Sequence, residues 1–244
     1  MQQNKYDDPH FFTEYSKMPR SVHGLNAAGE WSAFKTHIPQ LKNKKVLDLG
    51  CGYGWHCQFA AEQGARSVIG IDLSIKMLEK ARLLTSAQNV DYQHTAIEDF
   101  TADKASFDVI ISSLALHYIE DIEPVFAKAA SLLTSQGELY YSVEHPIFTA
   151  CEQQDWYYDA EQQPMHWPVD HYFEQGKRET HFLDAKVVKY HRTLETHITA
   201  LLTAGFEITA VIEPTPPKEM VERLSWQNEL RRPMMLIIKA KKKS

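Results

Sequence analysis

From residue 45 onward, short apolar runs alternate with longer stretches in which apolar residues recur every three or four positions. The run 45–49 (KVLDL) ends in glycines and reads as a buried strand. So do 67–71 (SVIGI), 90–94, 107–112 (FDVIIS) and 138–143 (ELYYSV), the last one following a turn at Gly137. Between them, 55–63 places Phe59, Ala60 and Gln63 at helical spacing. The stretch 74–86 opens on a capping serine and repeats Met77, Leu78, Ala81 and Leu84, and 121–133 carries Pro124 in its first turn. Strand and helix alternating at this rhythm predict a doubly wound α/β fold, a mostly parallel sheet with right-handed crossovers and helices on both faces. Further on, 193–204 reads as a helix closed by Gly205. The runs 206–213 and 234–240 read as two strands joined through Pro214, Pro216, Pro217 and Pro233, which adds an antiparallel strand.

The stretch 145–191 fits none of this. Connections between α/β elements usually run about 2–6 residues, so a longer one is a subdomain or a functional insert. It holds five of the 12 histidines (His145, His166, His171, His181, His191), two of the five tryptophans, and Tyr157, Tyr158, Tyr172 and Tyr190. Aromatic residues with polar tips suit an apolar surface that touches something polar. Because the stretch follows the carboxyl end of a strand, where such sheets bind ligands, it is expected to be a lid over a substrate pocket; a packed cover is the plainer alternative.

Composition narrows the class. The 244 residues are 43% hydrophobic and 24% charged, as expected of one globular domain spanning 1–244. The N-terminus has no apolar signal core, no run is long enough for a membrane span, and the three cysteines are odd in number, so a reducing, cytoplasmic location is expected. The formal net charge of −6 gives no general footprint for nucleic acid, and the lysine-rich C-terminus reads as a solvated end.

The candidate chemistry starts at Asp48-Leu49-Gly50-Cys51-Gly52-Tyr53-Gly54-Trp55. A dinucleotide loop wants Gly-x-Gly-x-x-Gly, but its third glycine would here be Trp55, which sets a nucleotide-linked reductase aside. A carboxylate heading alternating glycines would repel a pyrophosphate and attract an ammonium or a sulfonium. Asp72 closes the next strand, 18 positions after Gly54, where a carboxylate can accept both hydroxyls of a ribose.

VLDLGCGYG followed by VIGIDLS, then AIEDF at 96–100, SFDVIISSLALHY at 106–118 and Gly137-Glu138-Leu139, resembles the class I S-adenosylmethionine-dependent methyltransferases of small-molecule type. The resemblance covers about 44–143, with 206–240 similar to the family's final hairpin. It implies a seven-stranded sheet whose last strand is antiparallel and S-adenosylmethionine as cofactor (S-adenosylhomocysteine as product); no metal is expected from the spacing of the histidines and cysteines. By the same resemblance, Gly50, Cys51 and Gly52 would line the methionine moiety, with Asp48 near its ammonium. Asp72 would hold the ribose, Leu73 and Met77 would flank the adenine, and Ile97 and Glu98 would face its edge. Ser113 and Leu114 would flank the methionine tail. A cofactor-covering N-terminal helix over 8–37 is expected, with Tyr15 and Arg20 as contacts, Arg20 for the methionine carboxylate.

Methyl transfer from a sulfonium needs a base only if the nucleophile arrives protonated. His117 and His145, after the fourth and fifth strands, are the candidate general bases. His166 and His171 lack a matching second ligand pair for zinc, and no Gly-x-Ser-x-Gly string marks a hydrolase. The expected acceptor is a small molecule. An RNA (tRNA) methyltransferase and a cofactor-binding protein without catalysis are the alternatives.

Overall fold

A computed structural model describes residues 4–243. At the N-terminus, a 3-10 turn (Lys5–Asp7) leads into α1 (Pro9–Ser16), α2 (Pro19–His23) and α3 (Trp31–His37). The segment 8–37 is therefore three helices rather than one. Pro19, which cannot supply an N–H to a preceding turn, opens α2, and Gly24 closes it at φ +64°.

The alternating core follows: β1 (Lys45–Leu49), α4 (Trp55–Glu62), β2 (Ser67–Asp72), α5 (Ile75–Leu84), β3 (Val90–His94), β4 (Phe107–Ser113), α6 (Ile122–Leu132) and β5 (Leu133–Glu144). The insert comprises α7 (Pro146–Thr149) and two hairpins, β6 (Tyr157–Tyr158) with β7 (Pro164–His166) and β8 (Gly176–Phe182) with β9 (Ala185–His191). The chain ends with α8 (Leu194–Thr203), β10 (Phe206–Ile212), α9 (Lys218–Leu224) and β11 (Met235–Lys242).

Seven strands form one sheet in the order β10-β11-β5-β4-β1-β2-β3, with β11 antiparallel to both neighbours and every other pairing parallel. The capping serine read from the sequence forms, Ser74 accepting the Met77 N–H, and Asp121 and Thr193 likewise accept the N–H groups of Glu123 and Thr196. β5 starts five residues before the expected 138. Leu133 pairs with Phe107, and the register then shifts so that Glu138 meets Val109. The turn at Gly137 is thus an irregularity within the strand, with Gln136 at φ +63°.

Alternation along β1 sends Leu47 and Leu49 to the face covered by α6 and α8, and Val46 to the face covered by α3, α4 and α5. Asp48 shares the Val46 face, where it meets Cys57 of α4. The insert is fastened where an arginine packs beside two aromatic rings, Phe148 and Trp167, which stack on each other with centroids 5.0 Å apart. The Arg232 guanidinium lies 4.4 Å from the Trp167 ring centroid and 4.9 Å from that of Phe148, and it also pairs with Glu229.

Candidate active site

The glycine loop turns at the carboxyl end of β1. Gly50, Gly52 and Gly54 all have positive φ. A Cβ on Gly50 would lie 2.4 Å from the Ala115 Cβ, and one on Gly54 would lie 2.0 Å from the Tyr92 hydroxyl, so close packing fixes glycine there. The N–H groups of Gly50 and Cys51 both donate to the Ile71 carbonyl at 2.9 Å, and Gly52 N–H donates to Asp72 Oδ2 at 2.8 Å. Three successive donors are thus engaged within the protein. A pyrophosphate needs such donors free, whereas a ligand carrying its own ammonium needs acceptors.

Asp48 offers one. It is buried, Cys57 Sγ lies 3.2 Å from its Oδ2, and its Oδ1 has no partner. Burial, with Asp72 nearby, pushes its pKa up to about 7 despite the Cys57 contact. A lone buried carboxylate oxygen beside a loop of alternating glycines fits the cationic amino-acid end of S-adenosylmethionine. The Tyr53 hydroxyl is also buried without a partner.

Asp72 is held by two backbone donors, Gly52 N–H to Oδ2 and Ser74 N–H to Oδ1, each at 2.8 Å. Leu73 and Met77 follow on the same loop and first turn of α5. Ile97 reaches the glycine loop, its Cδ1 3.7 Å from a Cβ placed on Gly50. Glu98 is exposed, and its carbonyl accepts from Lys128 Nζ. At the end of β4, Ser113 Oγ accepts from Ser142 Oγ at 3.2 Å, and Leu114 takes φ +54°, its N–H tied to Ser142 O at 2.9 Å. A left-handed leucine is an uncommon conformation, of the kind that gathers at binding sites. These expected residues therefore gather around one end of the sheet.

Tyr15 and Arg20 come to the same end, on the N-terminal helices. The Tyr15 ring meets Tyr53 of the glycine loop edge-on at 5.7 Å, and Arg20 is paired with buried Glu30. That pairing leaves other guanidinium donors for a carboxylate. No motif along the chain marks Tyr6 and Asp7. The Tyr6 hydroxyl lies 3.3 Å from that of Tyr118, and its ring meets Tyr15 at 5.2 Å. Asp7 Oδ1 accepts from Ser74 Oγ and Lys76 N–H, and Oδ2 from Ile75 N–H. Tyr6, Tyr15, Asp72, Tyr118 and Glu144 sit deep in the protein yet keep accessible surface, as side chains lining a recess do.

The two histidines differ. His117 is buried against the Tyr118 ring at 4.4 Å, and burial pulls its pKa down to about 4. Its Nδ1 accepts a long 3.4 Å bond from Glu144 N–H, which assigns the proton of the neutral ring to Nε2. His145 caps α7 through Nδ1 (3.0 Å from Ile147 N), and its Nε2 lies 2.9 Å from Glu213 beyond β10, off hydrogen-bond direction. Beside His117, Glu144 pairs with Lys189 at 2.6 Å, and Gln154 bonds both. The attraction of His117 and Lys189 and these bonds outweigh burial and hold the Glu144 carboxyl below its ordinary pKa. Among the described residues, no group of three or more His, Cys, Asp or Glu could hold a metal, and no helix is long and apolar enough to cross a membrane.

Comparison with known proteins agrees with this geometry. A family model described as "Methyltransferase domain" matches residues 46–137. A Listeria monocytogenes structure described as an S-adenosylmethionine-dependent methyltransferase is 49% identical, covering 91% of this chain and 100% of that one at a TM-score of 0.86. An uncharacterized protein of Haemophilus influenzae is 38% identical over 97% of this chain and 96% of its own length. A ubiquinone biosynthesis O-methyltransferase of Aromatoleum aromaticum is 39% identical over 45% of this chain and 48% of its own length, so that likeness spans about half of each protein. With the seven-stranded topology, the carboxylate-headed glycine loop and full-length likeness at 49% identity all in agreement, the chain belongs to the class I S-adenosylmethionine-dependent methyltransferases.

Proposed function

We propose that the enzyme methylates a small-molecule acceptor enclosed beneath the insert 145–191. The supporting observation is how the insert docks over the carboxyl ends of β4 and β5. Phe182 of β8 meets Phe11 of α1 at 5.9 Å, Lys189 of β9 pairs with Glu144, and Arg192 donates to the carbonyls of Ile119 and Glu120. Insert and N-terminal helices thus touch above the site, a closed arrangement that favours a compact acceptor over a polymer. The ubiquinone biosynthesis O-methyltransferase of Aromatoleum aromaticum, similar over 45% of this chain, favours an oxygen nucleophile.

When bound, S-adenosylmethionine supplies a methyl carbon already activated on a sulfonium. Gly50, Cys51 and Gly52 would line its methionine end, Asp48 would face the ammonium, and Arg20 and Tyr15 would close over it. Asp72 would hold the ribose, Leu73 and Met77 would flank the adenine with Ile97 and Glu98 at its edge, and Ser113 and Leu114 would flank the methionine tail. Alignment of this kind supplies about 7–11 kcal/mol toward an in-line displacement. Tyr118 and His117 would face the acceptor. With Nδ1 engaged by Glu144, His117 would act first as an N–H donor that orients the nucleophile, and as a base only after its tautomer changes. His145, aimed at Glu213, would stand further out.

Incubation of the purified chain with methyl-labelled S-adenosylmethionine and a deproteinised metabolite extract tests this. Label is expected in the low-mass fraction, with S-adenosylhomocysteine formed in step. Label that enters only added tRNA would overturn the acceptor class.

A further inference from the structure

We infer that Asp7 is a positioning residue for the cofactor: it straps residues 4–7 across the loop that carries Asp72, placing Tyr6 over the nucleoside end and gating exchange. This rests on the cofactor reading above and adds a residue and a motion to it.

The strap is built from hydrogen bonds to one short segment, 73–76. Asp7 takes the Ser74 hydroxyl at 2.6 Å and the N–H groups of Lys76 at 3.1 Å and Ile75 at 3.3 Å. Asn4 Nδ2 bridges Asp7 Oδ2 at 2.7 Å and the Leu73 carbonyl at 3.1 Å. Ser74, while donating to Asp7, accepts from Met77 N–H at 3.1 Å, so the relay ends at a residue expected beside the adenine. An anion at the first turn of α5 is also favoured by the helix dipole. Tyr6, next in the chain to this anchor, reaches Tyr15 and Phe11 on one side and Tyr118 on the other. These contacts place a ring above the recess between Asp72 and the end of β4. A nucleoside held by Asp72 there could leave only once the strap lifts.

S-adenosylhomocysteine is the probe, followed by calorimetry for affinity and by stopped-flow tryptophan fluorescence for rates. Asp7→Ala should release it about tenfold faster, the scale of lost hydrogen bonds to a charged group, and should also take it up faster, so affinity falls by less than the release rate rises. Asp7→Asn, keeping one acceptor oxygen, should be intermediate. A merely structural role would weaken binding without speeding uptake, and that result overturns the gate, as do unchanged rates in a variant that binds. If the wild-type chain shows no affinity for S-adenosylhomocysteine, the cofactor reading falls and takes the strap with it. Hydrogen exchange on the wild-type chain reads the same device without mutation. The probe must slow exchange at Ile75 and Lys76, and unchanged exchange there overturns the proposal.

Discussion

Asp72 accepts the N–H groups of Gly52 and Ser74 and so is oriented before a ligand arrives. Asp72→Ala is expected to weaken S-adenosylhomocysteine binding roughly tenfold to a hundredfold, the worth of hydrogen bonds to a charged acceptor, with little change in the sheet. Calorimetric titration measures it, and an unaltered dissociation constant would remove Asp72 from the ribose site. Asp48 makes a different prediction. Its pKa near 7 leaves much of it protonated at pH 6.5, and an ammonium placed beside it favours the ionised form. Binding at pH 6.5 should therefore release a fraction of a proton, visible as a heat that depends on the buffer's ionisation enthalpy, and Asp48→Asn should abolish it. Both aspartates were legible because their meaning lies in spacing along one chain segment. Tyr6 and Asp7 were not, since their partners Tyr118 and Ser74 lie 112 and 67 positions away and no local pattern marks them.

The glycine loop shows what an element can demand. Gly50→Ala must adopt φ near +74° and push its methyl against the Ala115 Cβ. It should lose about 1–3 kcal/mol from the backbone alone, with the contact adding to that. Adding Ala115→Gly should recover the contact and leave the backbone cost, and denaturant unfolding of the single and double variants separates the two. The strands β1 to β4 and the helices α4 to α6 were readable because period and caps agree there. The start of β5 was not, because its first residues pair before an irregularity that resembles a turn. The N-terminal helices were misjudged as one, although Pro19 and Gly24 mark the breaks in plain sight. The hairpins of the insert escaped notice because they stand apart from the main sheet, and Phe182 of β8 packs on Phe11 of the N-terminal helices rather than on a sheet face.

Across the whole molecule, buried histidines govern behaviour in acid. Burial lowers the pKa of His56 and His197 to about 3 and of His117 to about 4, against 6.5 for an exposed imidazole. Between pH 4 and 6.5 the unfolded chain binds protons at these positions and the folded chain does not, so their contribution is full above 6.5 and is lost as the pH falls. Asp48 acts in the opposite sense. Its raised pKa means that the folded chain holds the extra proton between 3.8 and about 7, and stability declines as pH rises through that window. Burial also lowers the pKa of His145 and His191 and raises that of Asp72; the histidines outnumber the two aspartates, so the thermal midpoint should fall by several degrees from pH 7 to pH 5. His117→Gln should flatten part of that slope, and a midpoint insensitive to pH would show these histidines to be solvated.

The insert begins and finishes at neighbouring points. Thr149 Oγ1 lies 2.7 Å from His191 Nδ1, and the glycine loop, Asp72 and the strap belong to other parts of the chain. A module rooted at so narrow a base can be replaced by another of different shape while the glycine loop and Asp72 keep their own hydrogen bonds, provided its successor restores the cover that Phe182 gives Phe11. Variation among relatives should therefore concentrate above that base, letting one methyl-donating engine serve successive acceptors by changing its cover.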